Sequence, residues 1–556
     1  MNSINDWFVQ NFDILTIEQV KGWFIYNPEE KLLFNTSLFL GLFLVFYFVY
    51  AFLHKTFYLR LTYVILFSLF FYYKSSGIYF LLLLLSSVVD YGLSQIIYKE
   101  KKENVKKIYL IISVILNLGL LGYFKYMNFL IVTFNDIFDG NFKLHDVFLP
   151  VGISFYTFQS MSYIIEIYRE EIKPTKNYIE YLFFVSFFPQ LVAGPIVRAK
   201  DFLPQIYQKL NLTKQDVNNA LFLIIGGLIK KTVISNYISV NFVDRVFDTP
   251  MNYSSFENLM ASYGYAIQIY CDFSGYSDMA IGIALLLGFK LPTNFRTPYK
   301  STSITDFWRR WHISLSTWLK DFLYISIGGN REGSFVGYFF PSLFFFGLLI
   351  WGVISFDTSA IPLLIAFLGI AVFCMSFLLS SKRKQTLVTN FNLFTTMLLG
   401  GLWHGAGAQF IVWGALHGLA LAVHKIVVEF FPAKKEKPNY FWKLISVVIT
   451  FHFVVFCWIF FRARDFETAL QVINNIGQLT FEPENWKIII LGYKNVFLLM
   501  LFGYVWHFLP EFFTDRMKSA FDKTPLLIKA IILGFVYWIV YATSVAGSQP
   551  FIYFQF

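Results

Sequence analysis

Long apolar runs separated by short polar breaks dominate this chain. Residues 33–53 (LFNTSLFLGLFLVFYFVYAFL) and 108–124 (IYLIISVILNLGLLGYF) approach or reach the apolar length of a membrane-crossing helix, and comparable runs recur to the C-terminus. The pattern predicts an all-α, polytopic integral membrane protein with about eleven to thirteen spanning or re-entrant helices, the count depending on how runs interrupted by Gly, Ser and His are divided. Residues 32–549 read as one membrane domain. Ahead of it, residues 1–31 form an extension in which Trp7, Phe8, Phe12, Ile14, Leu15, Val20, Trp23 and Phe24 can share an apolar face. That arrangement fits an amphipathic helix lying along the interface. Asp6, Asp13, Glu18, Glu29 and Glu30 in the same stretch argue against a cleavable secretory signal.

Composition strengthens this picture. Of 556 residues, 56% are hydrophobic and only 14% charged, against roughly a quarter charged in ordinary soluble domains. The net charge of +10 does not point to nucleic acid, because most basic residues sit in short clusters between apolar runs, as membrane topology requires. His54–Arg60 and Lys99–Lys107 are separated by two expected spans, which places both clusters in the cytoplasm and the N-terminus outside. Arg169–Lys176, Arg198–Lys214, Lys230–Lys231 and Lys382–Lys384 do not fit one face with simple full spans. Re-entrant or horizontal segments around a cavity are therefore expected.

The three cysteines, Cys271, Cys374 and Cys457, are far apart in apolar surroundings and suggest neither a disulfide framework nor a metal site. No phosphate-binding GxxxxGK[ST], GxSxG elbow, CxxC or HxxxxD pattern occurs. Two segments nevertheless depart from the apolar background. Residues 268–333 combine a helix, a Pro-marked loop and an aromatic, basic stretch around His312. Residues 399–418 (LGGLWHGAGAQFIVWGALHG) carry Gly400, Gly401, Gly405, Gly407, Gly414 and Gly418, which permit close helix packing or a broken helix. An ionisable group in such a run, here His404, is a candidate functional residue, although a hydrogen-bonded structural histidine at a helix break fits the same surroundings. For His417, 13 residues further on, packing is the favoured reading. His424, followed by Lys425, suits a helix end at the interface.

Together these segments resemble the membrane-bound O-acyltransferase superfamily, in particular its bacterial branch containing the alginate O-acetyltransferase membrane component. The resemblance runs through LLFNTSLFLGLFLVFYFVY (32–50), VGISFYTFQSMSYIIEIYR (151–169), FFPQLVAGPIVRAKDFLPQ (187–205), DFWRRWHISLSTWLKDFLYISIGGNR (306–331), GLWHGAG (401–407) and PFIYFQF (550–556). Residues before Leu32 depart from the usual start of this branch, so no role is inherited for them. The resemblance implies that His404 is the active-site histidine and that His312 occupies the second characteristic polar position. Neutral imidazole suits the task given to His404, removing a hydroxyl proton as the oxygen attacks a thioester. For His312, orienting the acceptor, donating to a developing oxyanion and anchoring a helix all remain open.

The resemblance also implies an acyl-coenzyme A donor, usually acetyl-CoA; no metal is expected. Arg296, Lys300, Arg309, Arg310, Lys320 and Arg331 surround the first motif. Arg309, Arg310 and Lys320, with Trp403, are taken as the candidate donor-binding set, while lipid headgroups and topology also account for such charges. At the tail, related systems carry a similar tyrosine motif that is proposed to hold the acyl group transiently. Tyr553 is accordingly a candidate acyl carrier: a phenol, with a pKa near 10, gives up its proton to His404 more readily than an alkyl hydroxyl does. The expected function is O-acetylation of an exported cell-surface polysaccharide at the bacterial cytoplasmic (inner) membrane, completed by a periplasmic or extracellular partner. Transfer of D-alanine to a cell-wall polymer and a non-enzymatic role in polysaccharide export remain as alternatives.

Overall fold

The computed structural model describes residues 17–354, 361–379, 382–430, 439–544 and 552. Every regular element among them is helical. Six stretches are long and apolar enough to cross a membrane: Phe57–Lys99, Glu103–Phe138, Lys214–Asp248, Phe335–Val353, Ala408–Phe430 and Tyr440–Arg462. Two helix pairs near the C-terminus, bent by 89° and 118°, raise the total to eight if each pair is one span. Gly77, at φ +61°, interrupts Phe57–Lys99 and leaves two 20-residue helices, each long enough to cross on its own. Ser37–Leu53 and Pro362–Leu378 are apolar but shorter. The eleven to thirteen expected segments thus resolve into full spans, short apolar helices and bent pairs. Apolar patterning registers all three alike; helix length and direction separate them.

The centre is occupied by a helix that hydropathy alone does not distinguish. Ser255–Leu286 runs for 32 residues, about 48 Å at 1.5 Å per residue, and starts from a reciprocal cap in which Ser254 and Glu257 satisfy each other's backbone N–H groups. Ser262, Tyr265, Gln268, Ser274, Tyr276 and Ser277 along it are buried within the protein. Lys230 and Lys231 lie in an adjacent π-helical turn, Ile229–Ser235, and form ion pairs with Asp278 and Asp272 of this helix. Those two lysines are therefore structural groups inside the fold, which removes one of the clusters that simple topology failed to place.

Aromatic packing fills much of the remaining interior. Phe34 stacks on Tyr276 with centroids 4.6 Å apart, and Phe158 stacks on Trp318 at 3.7 Å. Of the N-terminal extension, residues 1–16 lie outside the described residues; Ile17–Phe24 is helical, and the Gly22 carbonyl accepts from Lys74 Nζ at 3.0 Å. Of the C-terminal motif only Ile552 is described. It is buried, and its backbone N–H donates to Asp272 Oδ2 over 3.1 Å.

Candidate active site

The glycines of the 399–418 segment serve both of the purposes open to them. The Arg383–His404 helix stops at His404 because Gly405 is extended, and a new helix, Ala408–Phe430, folds back against it. A Cβ on Gly401 would stand 2.2 Å from the Phe410 carbonyl oxygen, and one on Gly414 2.4 Å from the Met397 carbonyl oxygen. Only glycine allows the two backbones to approach this closely.

Stopping a helix inside the protein leaves its last carbonyls without partners. Here they are met from another part of the chain. Lys125 Nζ donates to the carbonyls of Trp403 (2.7 Å) and His404 (2.8 Å), and the Tyr126 hydroxyl donates to that of Leu402 (2.5 Å). Both side chains come from a π-helical turn, Gly122–Tyr126, in the Glu103–Phe138 stretch. A cation at a helix C-terminus is electrostatically favourable, and this one fixes the backbone from which His404 projects. Lys125 was missed as a site residue. Its signal was legible, a single ionisable residue within a long apolar run.

The His404 side chain is buried, 2% exposed, with its ring edge-on to Trp403 (4.9 Å), Trp413 (5.0 Å) and Phe461 (5.2 Å). His312 is fully buried and shares Trp403 as a neighbour, at 6.2 Å between centroids. The two motifs separated by 92 positions in sequence thus meet on one indole.

His312 has a left-handed backbone, φ 43° and ψ 54°, an uncommon conformation for a residue with a side chain and one often retained at functional positions. Its Nδ1 lies 3.2 Å from Asn294 Oδ1, which also accepts from the Ser314 backbone N–H (3.2 Å) and hydroxyl (2.9 Å). A backbone N–H can only donate, so that atom of Asn294 is the oxygen, and Nδ1 of His312 must carry the proton. In the neutral imidazole Nε2 then bears the lone pair. With this tautomer Nε2 can accept a hydrogen bond, whereas donation to an oxyanion requires a second proton on the ring.

On one side of this centre lies an open cavity of about 1090 Å³. Gln385, Thr389, Leu393 and Thr396 line it from one face of the Arg383–His404 helix, and Arg309, Lys320, Lys382 and Lys425 supply a basic perimeter. Met397, the last lining residue of that helix, precedes His404 by seven positions, about 10 Å along the axis. Of the expected donor-binding residues, Arg309 and Lys320 line this cavity. Arg310 is instead held by Asp306, 2.9 Å away, and Lys300 Nζ donates to the Leu509 carbonyl at 2.6 Å. Trp403 lies outside the cavity, on a second pocket of about 50 Å³ shared with Lys31, Lys125, Gly152, Ser154 and Val192. Lys382 and Lys425 were not singled out for this role from sequence.

His424 also stands on the cavity wall, its Nδ1 2.9 Å from the Thr305 hydroxyl. The helix carrying it continues to Phe430, so His424 does not mark a helix end. His417 is enclosed by Phe307, Trp308, Trp413 and Phe453. Tyr553 lies outside the described residues. Among those described, no cluster of three or more His, Cys, Asp or Glu side chains has the arrangement of a metal site.

The profile of the membrane-bound O-acyltransferase family matches residues 168–357, a span that contains His312. A peptidoglycan O-acetyltransferase of Helicobacter pylori is 35% identical over 475 residues, 80% of each chain. A probable alginate O-acetylase of Pseudomonas putida is 33% identical over 473 residues, covering 81% of this chain and 84% of the relative. More distantly, a teichoic acid D-alanyltransferase of Bacillus subtilis is 27% identical over 327 residues, 58% of this chain and 71% of its own. The matches identify the reaction class as O-acyl transfer.

Proposed function

The chain belongs to the membrane-bound O-acyltransferase family, and from that premise we propose that it moves acetyl from cytoplasmic acetyl-CoA toward an exported surface polysaccharide, with His404 as general base. The observation that carries this reading is the placement of His404, one end of whose helix forms the wall of a large cavity with a basic perimeter while the other adjoins a separate small pocket. Such an arrangement admits donor and acceptor from different directions. Arg309, Lys320, Lys382 and Lys425 suit the phosphates of coenzyme A, for which Arg offers paired donors and Lys a point charge.

In the transfer, His404 takes the proton of the acceptor hydroxyl as its oxygen bonds to the thioester carbonyl carbon. Collapse of the tetrahedral intermediate breaks the C–S bond, and the proton passes from the imidazolium to the departing thiolate. The acceptor hydroxyl has a single proton, the one His404 removes, so His312, held by Asn294, acts by positioning the groups beside the reacting centre rather than by accepting from that hydroxyl. The first acceptor is the Tyr553 phenol or a hydroxyl on a periplasmic or extracellular partner, which carries the acetyl group onward to the polymer. Burial of Ile552 against Asp272 supports this role by tethering the tail within the membrane domain. The relatives' names point to alginate or peptidoglycan as the kind of polymer acetylated, and a cytoplasmic donor with an exported acceptor assigns the reaction to the bacterial cytoplasmic (inner) membrane.

Incubation of the purified protein with acetyl-CoA, followed by peptide mass spectrometry, tests the reading. An acetyl adduct on residues 550–556 that is lost in both His404→Ala and Tyr553→Phe is expected. Transfer by the Tyr553→Phe protein at the wild-type rate excludes the tyrosine relay. No consumption of acetyl-CoA, but activity with a D-alanyl carrier protein, moves the assignment to the D-alanyl branch represented among the relatives.

A further inference from the structure

Between the large cavity and His404 stand three side chains whose ring nitrogens have no hydrogen-bond partner among the described residues. Trp308 forms part of the cavity wall and is 9% exposed. Behind it lie Trp413, 1% exposed, and His417, fully buried. Trp308 is 5.8 Å from Trp413 and 5.2 Å from His417; Trp413 and His417 are 4.8 Å apart, and His404 lies 5.0 Å from Trp413. Ring contact therefore continues without a gap from the cavity wall to the proposed base. Yet the indole nitrogens of Trp308 and Trp413 and both ring nitrogens of His417 are buried with no hydrogen-bond partner among the described residues.

One buried polar atom without a partner costs about 1–3 kcal/mol, and such atoms are few in folded proteins. Four in one contiguous cluster are poorly explained by packing, which phenylalanine would satisfy at three positions without that cost. Their chemistry instead suggests a ligand. Two indole N–H groups only donate, whereas neutral His417 supplies one donor and one acceptor. The complementary partner is a chain of carbonyl oxygens with an occasional N–H, the pattern of a pantetheine arm with two secondary amides ending in a thioester.

We infer that Trp308, Trp413 and His417 line the last part of the donor's route and hold the amide and thioester carbonyl groups of the pantetheine arm, so that the thioester reaches His404. The inference rests on the donor reading above. It makes these three positioning residues for the reaction, and it assigns His417 a purpose beyond packing. Trp308 separates the cavity from the other two, so its ring turns aside as the arm enters.

The test uses the full-length protein in lipid nanodiscs with two donors that share the arm, acetyl-CoA and S-acetylpantetheine, the latter lacking the nucleotide. Trp308→Phe and His417→Phe preserve an aromatic ring and remove its nitrogens. For each variant KM should rise about three- to ten-fold per lost hydrogen bond, equally for both donors, with kcat held within about two-fold. His417→Asn, which restores a donor and an acceptor, should recover part of the loss. Thermal midpoints identify a variant that is merely misfolded; Trp308→Phe, at the cavity wall, then decides the matter. Wild-type KM values for both donors in the Phe variants overturn the inference and leave the donor reading intact. A fall in kcat at unchanged KM also overturns it. If the wild-type protein transfers acetyl from neither donor, the donor reading fails and this inference fails with it.

Discussion

Asn294 and Lys125 act at the scale of single residues, each fixing a histidine without being one. Asn294 Oδ1 accepts from His312 and twice from Ser314, so Asn294→Ala leaves three buried donors without their acceptor. The expected outcome is a loss of about 10²-fold in kcat through misplacement of His312, with folding retained, read from acetyl-transfer kinetics beside a thermal unfolding curve. Lys125→Met removes the cation that closes the end of the His404 helix. Its effect should be a loss of at least about ten-fold in kcat and a lowered thermal midpoint, since two buried carbonyls lose charge-assisted hydrogen bonds. If either variant retains wild-type kcat, that side chain does not position the site.

At the scale of elements, the contact between Arg383–His404 and Ala408–Phe430 depends on backbone proximity rather than on interlocking side chains. Gly414→Ala would place a methyl group 2.4 Å from the Met397 carbonyl oxygen, and that carbonyl belongs to backbone with little room to yield. Overpacking of this kind costs about 1–3 kcal/mol, so a lower thermal midpoint and reduced activity are expected together. Gly226→Ala, with open space around its Cβ, serves as the control and should change neither. The sequence showed that the glycines of 399–418 permit close packing or a break. It did not show that both occur, because that depends on where the returning helix lies.

For the whole molecule, the prediction concerns the separation of donor and acceptor access. Lys320→Glu on the cavity perimeter should raise KM for acetyl-CoA by about ten-fold, and the effect should shrink as salt rises because exposed charges are screened. S-acetylpantetheine, which has no nucleotide phosphates, should be unaffected. A KM for acetyl-CoA that is independent of both the substitution and salt would mean that this cavity does not receive the nucleotide. Arg310→Glu is a useful contrast, because Arg310 is engaged by Asp306 and does not line the cavity. It tests whether proximity in sequence or placement in space decides the effect.

Much of this protein was legible in its residues. Long apolar runs established a polytopic all-α membrane protein, because a backbone in lipid must satisfy its own hydrogen bonds and a helix does so within one segment. His404 was conspicuous as an ionisable group in an apolar run and His312 as the centre of an aromatic, basic stretch unlike the apolar background, and the motifs around them carried the family. Of the basic residues proposed for the donor, Arg309 and Lys320 line one cavity, whereas Arg310, their neighbour in sequence, turns to Asp306 instead. What only the tertiary structure decided was which distant groups meet: Lys125 at the end of the His404 helix, Asn294 on His312, and Lys382 and Lys425 on the cavity perimeter. Hydrophobic periodicity records which side of a helix avoids water, but within a membrane almost every side does. The pairing of one helix with another therefore comes from backbone fit and from the few polar groups that must find partners, and those partners are remote in sequence.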